Sequence, residues 1–581
     1  MEYKSENKIC QNCQKDFTIE PDDFGFYEKI QVPPPTFCPE CRMIRRMMWR
    51  NLRSLYKRTC GLCGKSLISM YKEDGAPVYC TSCFSGTEWN PFSYGMDYDF
   101  SKEFFPQLKK LFFEVPRNFA YQKGQIVNSD FTNYSADNKN AYLSYSVIGC
   151  EDIMYSDTID KSKNCMDCFA VEKLENCYSN VDCEGNYNCF YAVNSRNCID
   201  SLFIYDCVNC QNCCLSSNLR NQSYVFKNQK LSKAEYEKRI KELQLDTYSG
   251  AEVVKGIFDD LIEKNSIHRF TQIYNSQNVF GDHISNSRNV KYGFDVKDSE
   301  NVHYASRVIF NSKDSYDLQG LAAGELIYEG VAASFGTYRD FFCYITLGSK
   351  ECEYSMILQN CSYCFGCVGL SNAKYCILNK QYSEEDYFAL VEKIKKHMMD
   401  MPYVDNEGRV YKYGEFFPFD MAPFSYNESV ALDYFPIEEI KAKEKGYPWK
   451  YKEKRDYRAT IESTGLEDSI LDVSDSVLEE IIACPNDGKP EFQCTAAFRV
   501  MPNELSFYRQ KNLPLSRFCP NCRHYERLKY RNPMKLWHRQ CMCDKKHTHH
   551  DGHCQIEFET SYAPDRSEMV YCEKCYQQEV Y

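Results

Sequence analysis

Small and polar residues recur at a fixed spacing through the middle of the chain. An Asn or Asp anchors each repeat, and the spacing is twelve residues at every step except the one from Asn188 to Asn197. The anchors are Asn128, Asn140, Asp152, Asn164, Asn176, Asn188, Asn197, Asn209 and Asn221. Small or thiol-bearing residues mostly follow each anchor and recur three positions later. Such a period is typical of repeat proteins, in which each unit buries its apolar side only by stacking on its neighbours.

The composition of the repeats favours strands over helices. They are rich in Asn, Ser, Tyr, Cys and β-branched residues and poor in Leu, which suits pleated and closely stacked segments. We therefore predict a mainly β fold, a right-handed parallel β-helix (β-solenoid) with roughly two repeats in each coil. The Asn side chains are expected to form hydrogen-bonded ladders at the corners, about 4.8 Å apart.

A second series of repeats follows a helical interruption. Ser232 and Glu235 have the spacing of a capping box, which predicts the start of a helix. The repeats resume at Asn278 and continue to Lys374 at intervals of eleven to thirteen residues. The pattern at Ser383 and Asp386 closes this half as the earlier pattern closes the first. The middle of the chain is therefore predicted to be a duplicated β-solenoid with capping helices.

Both ends of the chain carry cysteine pairs with the spacing of zinc ligands. A CxxC turn presents two thiolates to one side, and two such turns complete the closed tetrahedral site of structural zinc. Sequential pairing in the head predicts two ions, one at Cys10, Cys13, Cys38 and Cys41 and one at Cys60, Cys63, Cys80 and Cys83.

The tail repeats the head with departures. Asp487 stands where the second cysteine of a pair is expected, and Cys494 is predicted to supply the missing ligand. A histidine-rich loop, residues 547–554, adds further donors. The predicted tail ligands are Cys484, Cys494, Cys519, Cys522, Cys541, Cys543, Cys572, Cys575, His549, His553 and Cys554. With the head, the chain is expected to hold about four structural zinc ions.

A basic segment lies within each zinc module. From Arg42 to Arg58 the head has seven positive charges and no acid, and its apolar residues have the spacing of one helical face. Arginine beside tryptophan suits phosphate contacts and base stacking. The predicted nucleic-acid-binding residues are Arg42, Arg45, Arg46, Trp49, Arg50, Arg53, Arg523, Arg527, Lys529, Arg531, Lys535 and Arg539. Two alternatives stay open: docking of this face on the acidic middle of the same chain, or a plain solvated face.

Composition limits the class of protein. The chain has 581 residues, a formal charge of −12 and 34 cysteines. The net charge argues against a generic nucleic-acid binder, although the uneven spread of charge matters more than the sum. The sequence has no window of eighteen apolar residues and no apolar signal-peptide core, so we expect a cytoplasmic protein. Its cysteines then act as thiols and metal ligands, and those in the repeats are predicted to be small, inward-facing core residues.

Three resemblances accompany this interpretation. The stretch from Cys10 to Arg42, with Phe26-Tyr27 and Cys38-Pro-Glu-Cys41-Arg42, resembles small zinc-ribbon or treble-clef domains. The repeats resemble right-handed parallel β-helix proteins. The whole arrangement, including Cys541-Met-Cys543 and the closing Tyr571-Cys-Glu-Lys-Cys-Tyr, resembles a large family of cysteine-rich proteins from small-genome candidate-phylum bacteria. This last resemblance implies the architecture and no particular activity.

The predicted organisation has eight segments. Residues 1–88 are the head double zinc module with its basic helix, 89–127 an aromatic connector, 128–230 the first β-solenoid, 231–270 a helical cap, 271–382 the second β-solenoid, 383–400 a capping helix, 401–480 an aromatic strap and 481–581 the tail zinc module.

The sequence shows no nucleotide-binding loop, nucleophile–base constellation or open catalytic zinc at recognisable spacing. The favoured hypothesis is a non-enzymatic scaffold whose two zinc modules, held on a rigid β-solenoid, bind nucleic acid, with RNA or the ribosome preferred to DNA. The first alternative is a protein–protein interaction scaffold with purely structural zinc and a partner on the solenoid face. The second is a carbohydrate-active enzyme with its carboxylates in an outer groove. Its candidate residues are Asp282, Asp295, Asp298, Asp314 and Asp317.

Overall fold

The computed structural model describes residues 3–73, 75–320, 323–451 and 458–581. Residues 321–322 of the predicted second solenoid and 452–457 of the predicted strap lie outside the described residues. The chain forms two compact units, which we name the head unit and the tail unit after the chain end that each contains. The head unit comprises Met1–Asn51, Leu55–Phe119 and Thr271–Lys450, and the tail unit comprises Leu52–Ser54, Ala120–Phe270 and Tyr451–Tyr581.

The tail unit contains the first series of repeats as parallel strands that close around a buried interior. We call this the first ladder. Successive strands pair at a register of twelve residues, as in Ile153 with Cys165, and isolated bridges continue the pairing between residues 172 and 190. Its strands are Gln122–Val127, Thr132–Asn133, Ser135–Tyr142, Ser144–Ile148, Glu151–Met154, Asp157–Asp160, Lys163–Met166, Phe169–Glu172, Phe190–Val193, Leu202–Tyr205, Gln211–Ser217 and Ser223–Phe226.

The head unit contains the second ladder, which is built in the same way. Tyr344 pairs with Met356 at the same register. The spacings of eleven and thirteen found in the sequence are local deletions and insertions in the ladder, as in Gln277 with Arg288 and Ser306 with Gln319. Its strands are Ile273–Tyr274, Gln277–Ser285, Arg288–Lys297, Glu300–His303, Ser306–Val308, Lys313–Gln319, Gly324–Glu325, Tyr328–Val331, Thr337–Tyr338, Tyr344–Leu347, Met356–Gln359, Ser362–Phe365 and Lys374–Ile377.

Every third residue along most of the first ladder turns the chain. Asp152, Tyr155 and Thr158 have left-handed backbone conformations with φ of 55°, 53° and 54°. A turn of twelve residues therefore has four sides of three residues each, and one repeat makes a full turn. The prediction of roughly two repeats per coil is wrong, because these corners shorten the path around the interior. Asn and Asp adopt the left-handed conformation more readily than most residues, which accounts for their recurrence as anchors.

The anchors form hydrogen-bonded ladders, as predicted. The Asn128 amide donates to Asn140 at 3.0 Å, and the Asn140 amide donates to Asp152 at 2.8 Å. The irregular step also has a simple explanation. The Asn188 amide donates to Asp200, twelve residues further on, at 2.8 Å. The nine-residue step therefore places Asn197 on a neighbouring side of the turn, and the length of the turn stays at twelve residues.

The cysteines of the repeats fill the interior of each ladder. Cys165, Cys177 and Cys189 follow one another at the ladder register and are at most 1 % exposed. Their thiols donate to backbone carbonyls, as Cys177 does to Glu175 at 3.3 Å. Interior serines complement them, since Ser156 Oγ accepts from the backbone N–H of Cys168 at 3.1 Å. The prediction that these cysteines are small core residues is confirmed.

Helices begin where the sequence predicts them after each ladder. Ser232 accepts from the backbone N–H of Glu235, and Ser383 accepts from that of Asp386. The α-helices are Pro21–Ile30, Pro39–Met47, Thr81–Phe84, Phe104–Glu114, Lys233–Glu242, Tyr248–Asp260, Glu384–Asp400, Val430–Tyr434, Glu439–Glu444, Pro502–Lys511, Pro520–Leu528 and Glu573–Val580. Within the described ranges, every helix is too short or too polar to cross a membrane.

The aromatic connector covers the last turns of the second ladder. The backbone N–H of Met96 donates to the Leu378 carbonyl at 3.1 Å. The Phe104 ring lies 5.2 Å from that of Tyr354 and 5.4 Å from that of Phe365. These contacts protect strand edges that would otherwise be open to pairing with other chains.

Candidate metal centres and arginine clusters

The first head cluster joins a tight turn to the start of a helix. Cys10 accepts from Gln14 through its carbonyl, which closes the turn that carries Cys13. Cys38 is the N-cap of the helix Pro39–Met47, so Cys41 lies in its first turn. The backbone N–H of Cys38 donates to Cys10 Sγ at 3.2 Å. The positive end of the helix and this N–H both favour thiolate over thiol.

The second head cluster repeats this geometry. Cys60 closes a turn with Gly64, and Cys80 caps the short helix Thr81–Phe84. The backbone N–H of Cys80 donates to Cys60 Sγ at 3.3 Å. In both clusters the four sulfur atoms lie within 4.8 Å of one another. The predicted sequential pairing of the head cysteines is therefore the pairing that the fold produces.

Two tail clusters follow the same plan. Cys484, Cys494, Cys519 and Cys522 converge, so Cys494 occupies the place that Asp487 leaves empty. The backbone N–H of Cys519 donates to Cys484 Sγ at 3.4 Å, and that of Cys572 donates to Cys541 Sγ at 3.2 Å. The last cluster is Cys541, Cys554, Cys572 and Cys575.

The distances between sulfur atoms fit a tetrahedral metal site. Bonds of about 2.3 Å from zinc to sulfur place neighbouring sulfurs roughly 3.8 Å apart at the tetrahedral angle. Cys13 and Cys38 are 3.7 Å apart, Cys484 and Cys522 are 3.8 Å apart, and Cys554 and Cys572 are 4.0 Å apart. A disulfide would require about 2.05 Å. The cysteine clusters can therefore hold metal ions as they stand.

The hydrogen bonds within the clusters lower the pKa of individual thiols. The Cys41 thiol donates to Cys13, and this lowers the pKa of Cys13 to about 6. Burial raises the pKa of Cys60, but backbone N–H groups of Cys63 and Cys80 outweigh it and bring the value to about 6. These sulfurs are prepared to bind a cation as thiolates, which is the form that coordinates metal.

The histidine-rich loop differs in detail from the prediction. Cys543 does not complete the last four-cysteine cluster but lies with His547, His550 and Cys575. His547 and His550 were absent from the predicted ligands, although their density in the sequence was the signal that could have found them. Of the two histidines that were predicted, His549 lies with Nε2 3.4 Å from Cys575 Sγ. His553 is directed to Asp544, with Nδ1 2.7 Å from the carboxylate.

The head arginines are buried against carboxylates of the second ladder. Arg42, Arg45 and Arg46 are at most 1 % exposed. Arg42 contacts Asp317 through two bonds of 3.0 and 3.1 Å, and Arg46 lies 2.9 Å from Asp317 and 2.8 Å from Glu329. The expected exposed basic face is therefore absent from this helix, because the charges that would attract phosphate are already neutralised within the head unit.

Arg45 completes this network from the same helix. Its Nη2 lies 2.9 Å from Glu329 and 3.2 Å from Glu415, which belongs to the predicted strap. Although burial opposes the charge, these two carboxylates hold the pKa of Arg45 above its usual value. The network consequently joins the head helix, the second ladder and the strap within one unit.

The tail arginines make an equivalent network on the first ladder. Arg527 donates to Asp167 at 2.7 Å and to the Tyr155 carbonyl at 3.1 Å. Arg523 lies 3.3 Å from Asp167 and 2.9 Å from Glu504. The carbonyl contact has a counterpart in the head unit, where Arg46 donates to Tyr304 at 3.3 Å.

The head and tail networks differ at one ion pair. The position of Arg45 is occupied by Glu526 in the tail, and the ladder position of Glu329 is occupied by Ser179, one turn after Asp167. The tail therefore lacks both the arginine and the glutamate of this ion pair. This joint change is what a docking contact requires and what a phosphate-binding surface does not.

The remaining predicted nucleic-acid contacts lie beyond the helix. The predicted basic helix ends at Met47, and the next strand begins at Tyr56. Trp49 is fully buried beside Phe417, with the ring centroids 4.6 Å apart. Arg50 is 1 % exposed. The amphipathic pattern was misleading because both faces of this segment are covered.

Arg53 and the later tail residues complete this comparison. In the tail unit, Arg53 lies 3.0 Å from Asp157, and Arg531 lies 3.0 Å from Asp182. Arg539 donates to the Ala563 carbonyl at 3.2 Å. Of the twelve predicted contacts, Lys529 and Lys535 are exposed.

Four carboxylates of the second ladder that were considered for glycoside hydrolysis make structural contacts. Asp317 pairs with Arg42 and Arg46. Asp314 and Asp298 accept from the amides of Asn301 and Asn286, and Asp282 accepts from the Gln272 backbone. These contacts assign Asp317 to docking of the head helix, and Asp282, Asp298 and Asp314 to bonds between neighbouring turns of the ladder.

Comparisons with known proteins add no assignment: the chain matches no protein-family model, and no curated protein sequence matches it.

Proposed function

We propose that this protein is a non-enzymatic scaffold in which zinc ions fasten the end modules to two right-handed parallel β-solenoids. The observation that carries the proposal is the burial of the head and tail arginines against ladder carboxylates. Each four-cysteine cluster fixes the first turn of a helix, and in each unit one such helix presents its arginines to the ladder. Zinc has a structural role in this scheme, since all four ligand positions are supplied by cysteine.

The choice of zinc rests on the donor set. Four thiolates in a tetrahedral arrangement suit zinc or iron, whereas oxygen-preferring cations such as Mg²⁺ and Ca²⁺ are excluded. The right-handed winding of the ladders follows the general preference of parallel β-connections for that hand. Metal analysis of the purified protein tests the ion, and iron in place of zinc would overturn this part of the proposal.

A protein partner is the favoured ligand of the scaffold. Exposed apolar side chains recur at one ladder position in successive turns of the first ladder, where Tyr187 is 46 % and Ile199 41 % exposed. Among the residues that were predicted to contact nucleic acid, Lys529 and Lys535 are exposed, whereas the head and tail helix arginines are already paired with carboxylates. The docked arginines therefore favour a protein scaffold over the nucleic-acid alternative.

A salt series separates the two alternatives. Fluorescence anisotropy would measure binding to structured RNA, single-stranded RNA and duplex DNA for the wild type, for Arg42→Ala/Arg46→Ala and for the exposed control Lys529→Ala/Lys535→Ala. The scaffold predicts a loss of thermal stability in the arginine variant and none in the lysine variant. Tight, steeply salt-dependent binding that the arginine variant abolishes while keeping its stability would refute the docking role.

A further inference from the structure

A second set of metal ligands adjoins the last four-cysteine cluster of the tail. The ligand atoms of Cys543, His547, His550 and Cys575 lie within 4.8 Å of one another. His547 Nε2 lies 3.1 Å from Cys543 Sγ, and His550 Nε2 lies 3.1 Å from Cys575 Sγ. A tetrahedral zinc ion separates a sulfur and a nitrogen ligand by roughly 3.5 Å. Cys575 belongs to both sets, so its sulfur faces two candidate metal positions.

Hydrogen bonds orient both histidines as ligands. His550 Nδ1 lies 2.7 Å from the Gly552 carbonyl, and His547 Nδ1 lies 3.1 Å from Gln578 Oε1. Because these oxygens only accept, a neutral ring at each position carries its proton on Nδ1 and keeps the lone pair of Nε2 for a metal. This is the outer contact that metal-binding histidines usually make. His547 Nε2 also lies 3.4 Å from Glu579 Oε1, a contact between two acceptors that a cation at this site would relieve.

The neighbouring histidine has the opposite arrangement. Gln578 Oε1 accepts from the Thr548 backbone, which directs its amide nitrogen to His549 Nδ1 at 3.3 Å. The amide donates, so His549 Nδ1 accepts and Nε2 carries the proton. His549 is therefore arranged to donate to Cys575 Sγ, 3.4 Å away, and not to bind a metal.

We propose that the last part of the tail module, residues 541–575, holds two metal ions bridged by the thiolate of Cys575. One ion is bound by Cys541, Cys554, Cys572 and Cys575, and the other by Cys543, His547, His550 and Cys575. Two divalent ions with five thiolates and two neutral imidazoles carry a net charge of about −1, compared with about −2 for one four-cysteine site alone. Sharing the thiolate thus reduces the charge at the site. The mixed sulfur and nitrogen donors suit zinc.

Metal counting on the full-length zinc-loaded protein tests this site. Native mass spectrometry is expected to show one zinc fewer per chain in His547→Ala/His550→Ala than in the wild type, with no change in His549→Ala or His553→Ala. An unchanged count in the double variant would overturn the proposal, as would the loss of an ion in His549→Ala. Because the readout is a difference of one ion, it does not depend on whether the other clusters behave as proposed.

Cadmium substitution tests the bridge itself. In ¹¹³Cd-loaded protein, we expect one resonance from a site with two sulfur and two nitrogen ligands, coupled through a shared sulfur to a four-sulfur site. His547→Ala/His550→Ala should remove the first resonance and the coupling while the four-sulfur resonances persist. If the resonance of the site with two sulfur and two nitrogen ligands showed no coupling to a four-sulfur resonance in the wild type, the two sites would be separate and the proposed bridge would be overturned.

Discussion

Asp317→Asn removes one charge from the centre of the head network and keeps its shape. The carboxylate is fully buried and contacts Arg42 at 3.0 Å and Arg46 at 2.9 Å. Glu329 remains 2.8 Å from Arg46 but 3.9 Å from Arg42, so Arg42 loses its main counter-charge. Removing one partner of a buried ion pair costs about 3–5 kcal/mol, because the other charge stays buried without compensation.

Hydrogen exchange of the helix Pro39–Met47 measures this cost locally. At about 1.4 kcal/mol per tenfold, the amides of the helix should exchange roughly 140 to 3,700 times faster in Asp317→Asn, with excess zinc present throughout. Asp314→Asn is the matched control. Its side chain is 22 % exposed and pairs with Lys29 at 3.3 Å, a class of contact worth about 1 kcal/mol or less. The same exchange rate in both variants would refute the docking argument.

Further predictions concern the clusters, the corners and the interior. Cys494→Ser should remove about one zinc per chain by metal analysis, whereas Asp487→Asn should remove none. Asn164→Ala should lower the unfolding temperature more than Asn164→Gly, because both lose the bond to Asn176 but alanine also pays about 1–2 kcal/mol for the left-handed backbone; an equal loss would contradict the role of the corners. Burial raises the pKa of Asp340 to about 8, so its contribution to stability is complete below about pH 4 and is lost as pH rises through 8. Between pH 6 and 8 the wild type should therefore lose up to about 1.4 kcal/mol per pH unit relative to Asp340→Asn, and parallel pH curves in urea unfolding would contradict this.

The repeats and most of the cysteine clusters could be predicted from the sequence because both depend on the spacing of nearby residues. Asn and Asp are favoured at left-handed corners, and CxxC pairs are typical of shared metal sites. The size of a turn was mispredicted because three-residue sides are set by backbone torsion, which the anchors indicate only indirectly. The burial of the head arginines could not be predicted from their own segment, because their partners Asp317 and Glu329 lie almost 300 residues away. The sequence signal for this contact is that Arg45 and Glu329 are both replaced in the duplicate, by Glu526 and Ser179.

Each unit is built from distant parts of the chain, so the order of synthesis determines when each unit can be completed. The head arginines are made among the first fifty residues, whereas Glu329 follows roughly 280 residues later, about 14–56 s at usual rates of translation. Throughout that interval the head arginines lack the ladder carboxylates that neutralise them in the finished unit. The first ladder meets the converse delay, since Asp167 is made long before Arg527. Both units therefore close late in synthesis, and the tail unit closes after the head unit.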